Sequence, residues 1–304
     1  MTDLSILIPS RNEMFLARTI QDILEHAETN IEVIVVLDGA RADPPVPQHE
    51  QVNVIFLQNP IGQRAATNMA ARSSRGKYVM KVDAHCAFAQ GFDRVMLEDI
   101  TPDVTMVPIL HRLWAFDWEC YRCGWKMYQC EPPVVCPDCG NENIRRKIVW
   151  ISEMQSQRTS YYFDRNLRQQ NFDEYTHRDE YKKALAETGL TETMSVAGSC
   201  WMMTKDKYFE LDVCDEEWGF WGSQGIEVAC KTWLSGGRVL VNHHTWYAHL
   251  SRPGIGFPYR LDRKHPFHAK KMARDILLSD KWDKAIHPMS WLVDKFAPVN
   301  GWTS

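Results

Sequence analysis

Asp83 and His85 flank a single alanine at the end of the apolar run from Lys77 to Val82. Residues i and i+2 of an extended segment project to the same side, so this carboxylate and imidazole can converge on one metal ion just where a buried strand gives out. A second set of potential ligands lies further on. Cys120-x-x-Cys123 and Cys136-x-x-Cys139 are separated by the twelve residues 124 to 135, a spacing close to that of a zinc ribbon and suited to a tetrahedral four-cysteine site. The glycine and proline residues Gly124, Pro137 and Gly140 supply the turn chemistry of two knuckles. The chain therefore offers one mixed oxygen and nitrogen site and one all-thiolate site. Cys130 is a spare or alternate ligand, and Cys86, Cys200, Cys214 and Cys230 read as buried thiols.

The elements that must position the first site are legible upstream. Leu4 to Pro9 and Ile31 to Asp38 read as short buried parallel strands, the first passing through Ser10-Arg11-Asn12-Glu13 into an amphipathic helix that ends near His26. After Asn59 to Gly62, a helix is expected from Gln63 to Ser73, with Ala65, Ala66, Met69 and Ala70 on one face, followed by Gly76 and the strand that ends at Asp83. This is the pattern of an α/β domain with a mostly parallel central sheet and flanking helices. In such sheets ligands sit beyond the carboxyl ends of the strands, which is where Glu13, Asp38 and Asp83 all fall.

These stretches resemble the nucleotide-sugar-dependent glycosyltransferases of the GT-A fold. Ser5 to Glu13 and Val35 to Gly39 are similar to family-2 enzymes, and Val82-Asp83-Ala84-His85-Cys86 resembles the polypeptide N-acetylgalactosaminyltransferases at their metal-binding Asp-x-His. Ala197-Gly198, Asp206 to Phe209, Trp221 to Glu227 and Lys231 to Gly237 follow in that family's order. Tyr247-Ala248-His249-Leu250-Ser251-Arg252 is similar to its Val-Gly-His-Val-Phe-Arg, whose histidine is the third metal ligand. The resemblance implies a divalent ion on Asp83, His85 and His249, with His243 or His244 as alternative ligands. Imidazole ligation favours Mn2+ over Mg2+. It implies a UDP-sugar donor in contact with Pro9, Arg11, Glu13, Asp38, Arg64, Asp83 and Arg252, Asp38 accepting from the uracil imide. Trp221, Gln224 and Glu227 are implied at the reacting sugar.

The departures bear on stereochemistry. Where the N-acetylgalactosaminyltransferases have Trp-Gly-Gly-Glu-Asn and inverting family-2 enzymes place a basic carboxylate, this chain has Gln224-Gly225. Inversion would need another base, for example Glu227 or Asp215, whereas a retaining front-face reaction lets the leaving phosphate take the acceptor proton. The reading is retention, with Gln224 a neutral hydrogen-bonding group near the sugar; the alternative is that Gln224 and Gly225 are scaffold and Trp218, Phe220 and Trp221 pack the core.

Between the two halves of the resemblance lies the insert. The organisation expected is a nucleotide-sugar half over 1–112, a zinc ribbon over 113–150, an acceptor-side half over 151–250 and a lid or tail over 251–304. The tail is either a lid bearing Arg260, Arg263, Lys264, Lys270 and Lys271 or a plain helix beginning near Pro266. Residues 141–168 carry six basic against three acidic side chains, interleaved with Trp150, Tyr161, Tyr162 and Phe163, although the whole chain has a formal charge of −4. Positive charge with aromatics suits a phosphate backbone and unstacked bases, the alternative being a solvated helix face beside a structural zinc knob. The acceptor expected is a hydroxymethylated pyrimidine in DNA, with protein Ser/Thr or a polysaccharide as alternatives. A sugar-nucleotide or nucleic-acid binding module without activity is the reading outside enzymes. With 304 residues, 44% of them hydrophobic, one catalytic domain and a small insert can bury a sizeable core. No export signal or long apolar span is apparent, so a cytoplasmic setting, bacterial or phage-infected, with no membrane contact is expected.

Overall fold

The computed structural model describes residues 2–154, 159–252, 259, 262 and 264–302. In chain order the elements are β1 (Leu4–Ser10), α1 (Leu16–His26), β2 (Ile31–Asp38), β3 (Val52–Leu57), α2 (Gln63–Ser73), β4 (Tyr78–Val82), β5 (Cys86–Phe88) and α3 (Phe92–Asp99). The long β6 (Val104–Cys120), β7 (Lys126–Tyr128) and β8 (Ile144–Glu153) come next, then β9 (Tyr161–Phe163), β10 (Gln169–Asn171), α4 (Asp173–Thr176), α5 (Asp179–Thr188) and β11 (Leu190–Glu192). The chain continues through β12 (Cys200–Thr204), α6 (Lys205–Leu211), α7 (Gln224–Leu234), β13 (Arg238–His249), α8 (Lys264–Ile276) and α9 (Met289–Lys295).

One mixed sheet runs in the order β11-β13-β6-β12-β4-β1-β2-β3. β4, β1, β2 and β3 are mutually parallel, and β12 joins antiparallel between β4 and β6. Every residue of β2 is buried, the signature of a strand covered on both faces. Alternation then sorts the side chains. Leu7, Ile34, Val36 and Val79 enter the cluster under α7 and α9, while Ile6, Ile8, Val33 and Val35 pack on the other face against Leu16, Ile20 and Ile23 of α1. On α2, Ala66 and Ala70 reach the core, whereas Ala65 and Met69 are only partly buried. The sheet edge β3 is not among the sequence expectations: its short apolar run from Val54 to Leu57 follows Asn53 and leaves Val54 and Phe56 exposed.

Two features shape the region above the sheet. Gly225 near the start of α7 lies so close to Val196 that a Cβ there would stand 1.9 Å from its carbonyl oxygen, so this backbone admits no side chain at position 225. The insert is continuous with the sheet. β6 runs on beyond it and pairs antiparallel with β7 and β8, carrying the four cysteines at its tip. Residues 144–153, including Arg145 to Lys147, thus form a strand where a helical face was the alternative. The base of this arm is held by a small cluster in which Phe15 stacks on Phe116 at 5.8 Å and meets Trp150 at 6.0 Å. Trp150 Nε1 also donates to Asp22 of α1 at 2.8 Å. The tail contains the helix α8, which begins two residues ahead of Pro266. Arg158, Arg260, Arg263 and the Pro253–Gly256 segment of the lid reading lie outside the described residues.

Candidate active site and thiolate centre

A cleft of about 510 Å3 opens at the carboxyl ends of β1, β2 and β4. Its floor is built from strand ends. Asp83 and His85 follow β4, and β13 delivers His249 as it pairs antiparallel with β5, His249 opposite Cys86. The ligand atoms of Asp83, His85 and His249 all lie within 4.8 Å of one another. His249 Nε2 is 3.2 Å from Asp83 Oδ2, and the two imidazole rings are 4.7 Å apart. His243 and His244 stand elsewhere on β13: His243 is 2.8 Å from the Thr191 hydroxyl and His244 is 3.3 Å from Asp99.

Electrostatics keep this trio ready to bind a cation. Burial opposes the Asp83 charge, yet Lys81, hydrogen bonding with His249 and the two imidazoles outweigh it and hold the carboxyl far below its ordinary range. Burial pushes His249 down to about 4, despite its contact with Asp83. Glu13 is likewise buried, and its interaction with His85 and then Arg252 lowers it overall. An ionised carboxylate and a neutral imidazole are the ligand states a divalent cation requires, so the residues fit such an ion.

The other walls come from both halves of the chain. Asp38 accepts hydrogen bonds from the backbone N–H groups of Ile61 at 2.6 Å and Gly62 at 3.0 Å, which anchors the turn before α2. Gly62 has φ +94°, and a Cβ there would strike Phe220 at 2.7 Å. Pro9, Arg11, Phe220, Trp221 and Arg252 complete the lining, together with Tyr259, Asp262 and His265 from the tail. Phe220 stacks on His265 at 4.8 Å, and Arg11 lies over the Tyr259 ring at 4.8 Å. Tyr259 and His265 carry no sequence motif. Their part in the cleft comes only from the tail folding back over the strand ends.

Three residues expected at the donor or the sugar stand behind the cleft wall and outside its lining. Arg64, expected at the donor, is 1% exposed and forms an ion pair with Glu227 while donating to the Gly222 carbonyl. Glu227, expected at the sugar or as a base, is fully buried and also binds Lys231 Nζ at 2.8 Å and the Asp215 N–H at 3.2 Å. A carboxylate enclosed by two cations cannot serve as a base for a substrate in the cleft. Gln224 is 5% exposed, donates to Cys214 Sγ at 3.1 Å and is absent from the cleft lining. Asp215 is committed to the Glu217 N–H at 2.9 Å. The aromatic run divides, with Trp218 fully buried and Phe220 and Trp221 facing the cleft.

At the arm tip, Cys120, Cys123, Cys136 and Cys139 gather their sulfurs within 4.8 Å of one another. The Cys120–Cys139 and Cys123–Cys136 separations are 3.7 and 3.5 Å. These are far too long for disulfides, whose sulfurs stand about 2.05 Å apart. A tetrahedron with Zn–S bonds of about 2.3 Å sets sulfurs roughly 3.8 Å apart, close to both values. The Gly124 and Gly140 N–H groups close the two knuckle turns onto the Cys120 and Cys136 carbonyls, each at 2.9 Å. The thiols share their protons: the Cys123 backbone N–H leads in lowering Cys120, whereas Cys123 and Cys139 are raised by burial and by the neighbouring sulfurs. Cys130 stands outside the cluster. Cys86, Cys200, Cys214 and Cys230 are buried, and burial raises each thiol.

Residues 5–117 match the model of the glycosyl transferase family 2. The match covers the first strands of the sheet, and the chain as a whole has a GT-A-like fold. Over 89% of its length it is 23% identical to polypeptide N-acetylgalactosaminyltransferase 4 of Mus musculus, and over 82% it is 24% identical to polypeptide N-acetylgalactosaminyltransferase 3 of Taeniopygia guttata. It spans 42% and 38% of those relatives. The crystal structure of GalNAc-T7 with UDP, GalNAc and Mn2+ superposes with a TM-score of 0.70 at 15% identity, covering 97% of this chain and 57% of that one. S. aureus TarS 1-349 in complex with UDP-GlcNAc gives a TM-score of 0.51 at 12% identity, covering 97% of this chain and 71% of that one. Among the described residues, no helix is long and apolar enough to cross a membrane.

Replacing Glu227 by alanine leaves Arg64 and Lys231 as uncompensated buried cations and is expected to cost about 3–5 kcal/mol of stability, measured by urea unfolding. An unchanged unfolding midpoint with lost turnover would restore Glu227 to a chemical role. Protein prepared without added metal is expected to hold about one tightly bound zinc per chain, detectable by elemental analysis, and to lose it in Cys123→Ser and Cys139→Ser variants. Zinc retained in full by both variants would exclude the four-thiolate site.

Proposed function

We propose that the chain is a divalent-metal-dependent glycosyltransferase that moves a hexosyl or N-acetylhexosaminyl group from a UDP-sugar to an acceptor hydroxyl, with retention. The observation that carries this reading is the convergence of Asp83, His85 and His249 on the floor of a cleft that Asp38 also lines. Bound there, a divalent ion would neutralise charge on the leaving diphosphate. Asp38, already accepting two N–H groups, keeps acceptor capacity for a uracil imide. Arg11 and Arg252 line the cleft on the side of Glu13 and supply positive charge for phosphate oxygens. Trp221 and Phe220 offer flat apolar walls where the sugar would lie.

Retention is supported by the state of the carboxylates. Among the described lining residues, Glu13 is paired with Arg252 and His85, Asp83 with Lys81, Asp38 with its turn, and Asp262 with the Lys264 N–H. In the front-face reaction the bond from sugar C1 to the phosphate oxygen breaks, the bond from C1 to the acceptor oxygen forms on the same face, and the acceptor proton passes to the departing phosphate oxygen. This assigns no base to the protein. It agrees with the tight packing that leaves Gly225 without a side chain.

For the acceptor, the reading favours a hydroxymethylated pyrimidine in DNA. Arg145, Arg146 and Lys147 are exposed on β8, and Tyr121 and Tyr128 present exposed rings on the same arm. Arg145 lies over Tyr121 at 4.9 Å, and Arg146 reaches Met14, next to Glu13 at the edge of the cleft. Cations and stacking rings that lead from the zinc-binding tip to the cleft suit a backbone bearing a displaced base.

Release of UDP from a panel of UDP-sugars in Mn2+ buffer is expected to fall about 100-fold or more in Asp83→Ala and His249→Ala variants of native stability. Full activity of both variants in chelator would refute the metal reading. Exchanging Arg145, Arg146 and Lys147 together for alanine is expected to raise KM for hydroxymethylated DNA and flatten its salt dependence, with donor hydrolysis unchanged. Equal modification of DNA by the triple variant at every salt concentration, or modification of a peptide and not DNA by the parent, would overturn the acceptor assignment.

A further inference from the structure

Lys81 sits on β4 two residues before Asp83, on the same side of the strand, and is fully buried. Its ammonium donates to Asp83 Oδ1 and, at 2.6 Å, to the Gly198 carbonyl. A buried ammonium is costly unless a carboxylate compensates it. Here the compensating carboxylate belongs to the ligand trio itself. The contact occupies Oδ1 and leaves Oδ2 to face His249 at 3.2 Å. The neighbouring charges cancel as well, because Glu13 is paired with Arg252. These two carboxylate–cation pairs carry no net charge before a further cation arrives.

We propose that Lys81 is a positioning residue that presents a single oxygen of Asp83 and keeps the donor-free site neutral, so that a divalent cation is held only together with a nucleoside diphosphate. This rests on the metal reading above. A fixed positive charge in contact with the ligand carboxylate opposes a second cation, and Lys81 is fully buried, so water does not surround its ammonium to screen it. The negative charges of a diphosphate reverse that balance. Cation and donor therefore enter as a unit, and the cation leaves once the diphosphate does. Lys81 also links the trio to the start of α7 behind the cleft. Gly198, whose carbonyl it holds, packs against the start of α7, where a Cβ on it would lie 3.3 Å from the Gly225 nitrogen.

The test is uptake of Mn2+ by the full chain, read from the loss of the free-ion electron paramagnetic resonance signal, with and without UDP. UDP and Mn2+ without protein serve as the blank. The parent is expected to hold Mn2+ at least about tenfold more weakly without UDP than with it. Lys81→Gln, which keeps a donor for the Gly198 carbonyl but drops the charge, and Lys81→Met are each expected to strengthen UDP-free binding about tenfold or more. The proposal is overturned if variants that melt near the parent bind Mn2+ without UDP no more tightly than the parent does. It is also overturned if the parent binds Mn2+ equally well in both conditions, a comparison that needs no variant. Protein that takes up no Mn2+ even with UDP would remove the metal reading and the role of Lys81 with it, whereas UDP-dependent uptake unaffected by either substitution would remove the role of Lys81 alone.

Discussion

The buried contact between Arg64, Glu227 and Lys231 ties the two halves of the molecule together. Arg64 stands on α2, in the half that ends the parallel strands, and Glu227 and Lys231 stand one turn apart on α7. Because Arg64 also holds the Gly222 carbonyl, the pairing fixes the turn that carries Phe220 and Trp221 against Gly62 and the Asp38 loop. Both cations further meet the Trp218 ring, Arg64 at 5.4 Å and Lys231 at 5.3 Å. Charges at this depth are tolerated only with such complete pairing. The cleft therefore has its width set by groups that never touch its contents.

The same constraint accounts for much of what a sequence reading can and cannot reach. Strand ends are legible because continuous apolar runs stop abruptly at Asp38 and Asp83, and the helix from Gln63 to Ser73 shows in its small apolar residues. The thiolate knuckles are legible because their spacing is short and local. Arg64 and Glu227 mislead because a charged residue beside a motif looks the same whether it faces a ligand or a partner 163 positions away. Gly225 reads in sequence as a missing base, and in three dimensions as a position whose Cβ volume is already occupied by the Val196 carbonyl. Tyr259 and His265 are beyond any local pattern, since only the return of the tail brings them to the strand ends.

The trio at the floor of the cleft and the zinc-type knuckles also differ in how their ligands are supplied. Three of the four cysteines of the tip come from turns that need only their own hydrogen bonds, so the thiolate centre is a local construction at the end of a ribbon. The floor is assembled across the whole sheet, from β4 and from β13, with β5 as the intermediate strand. The first kind of site can be carried by a short insert. The second demands a finished domain.

β13 pairs with two strands at its far end, with β5 at Cys86 and with β6 at Arg112, and His249 is the residue opposite both. Beyond Arg112, β6 continues for another eight residues to Cys120, roughly 25–30 Å at the usual rise of a strand. The arm is thus an extension of the ladder that holds His249. A register shift in the same pairing, between Asn242 and Trp246, loosens the ladder on the side away from the tip. The outer end of the ribbon and the floor of the cleft therefore share one continuous backbone, and the strand that leads to the four cysteines is the strand that backs His249.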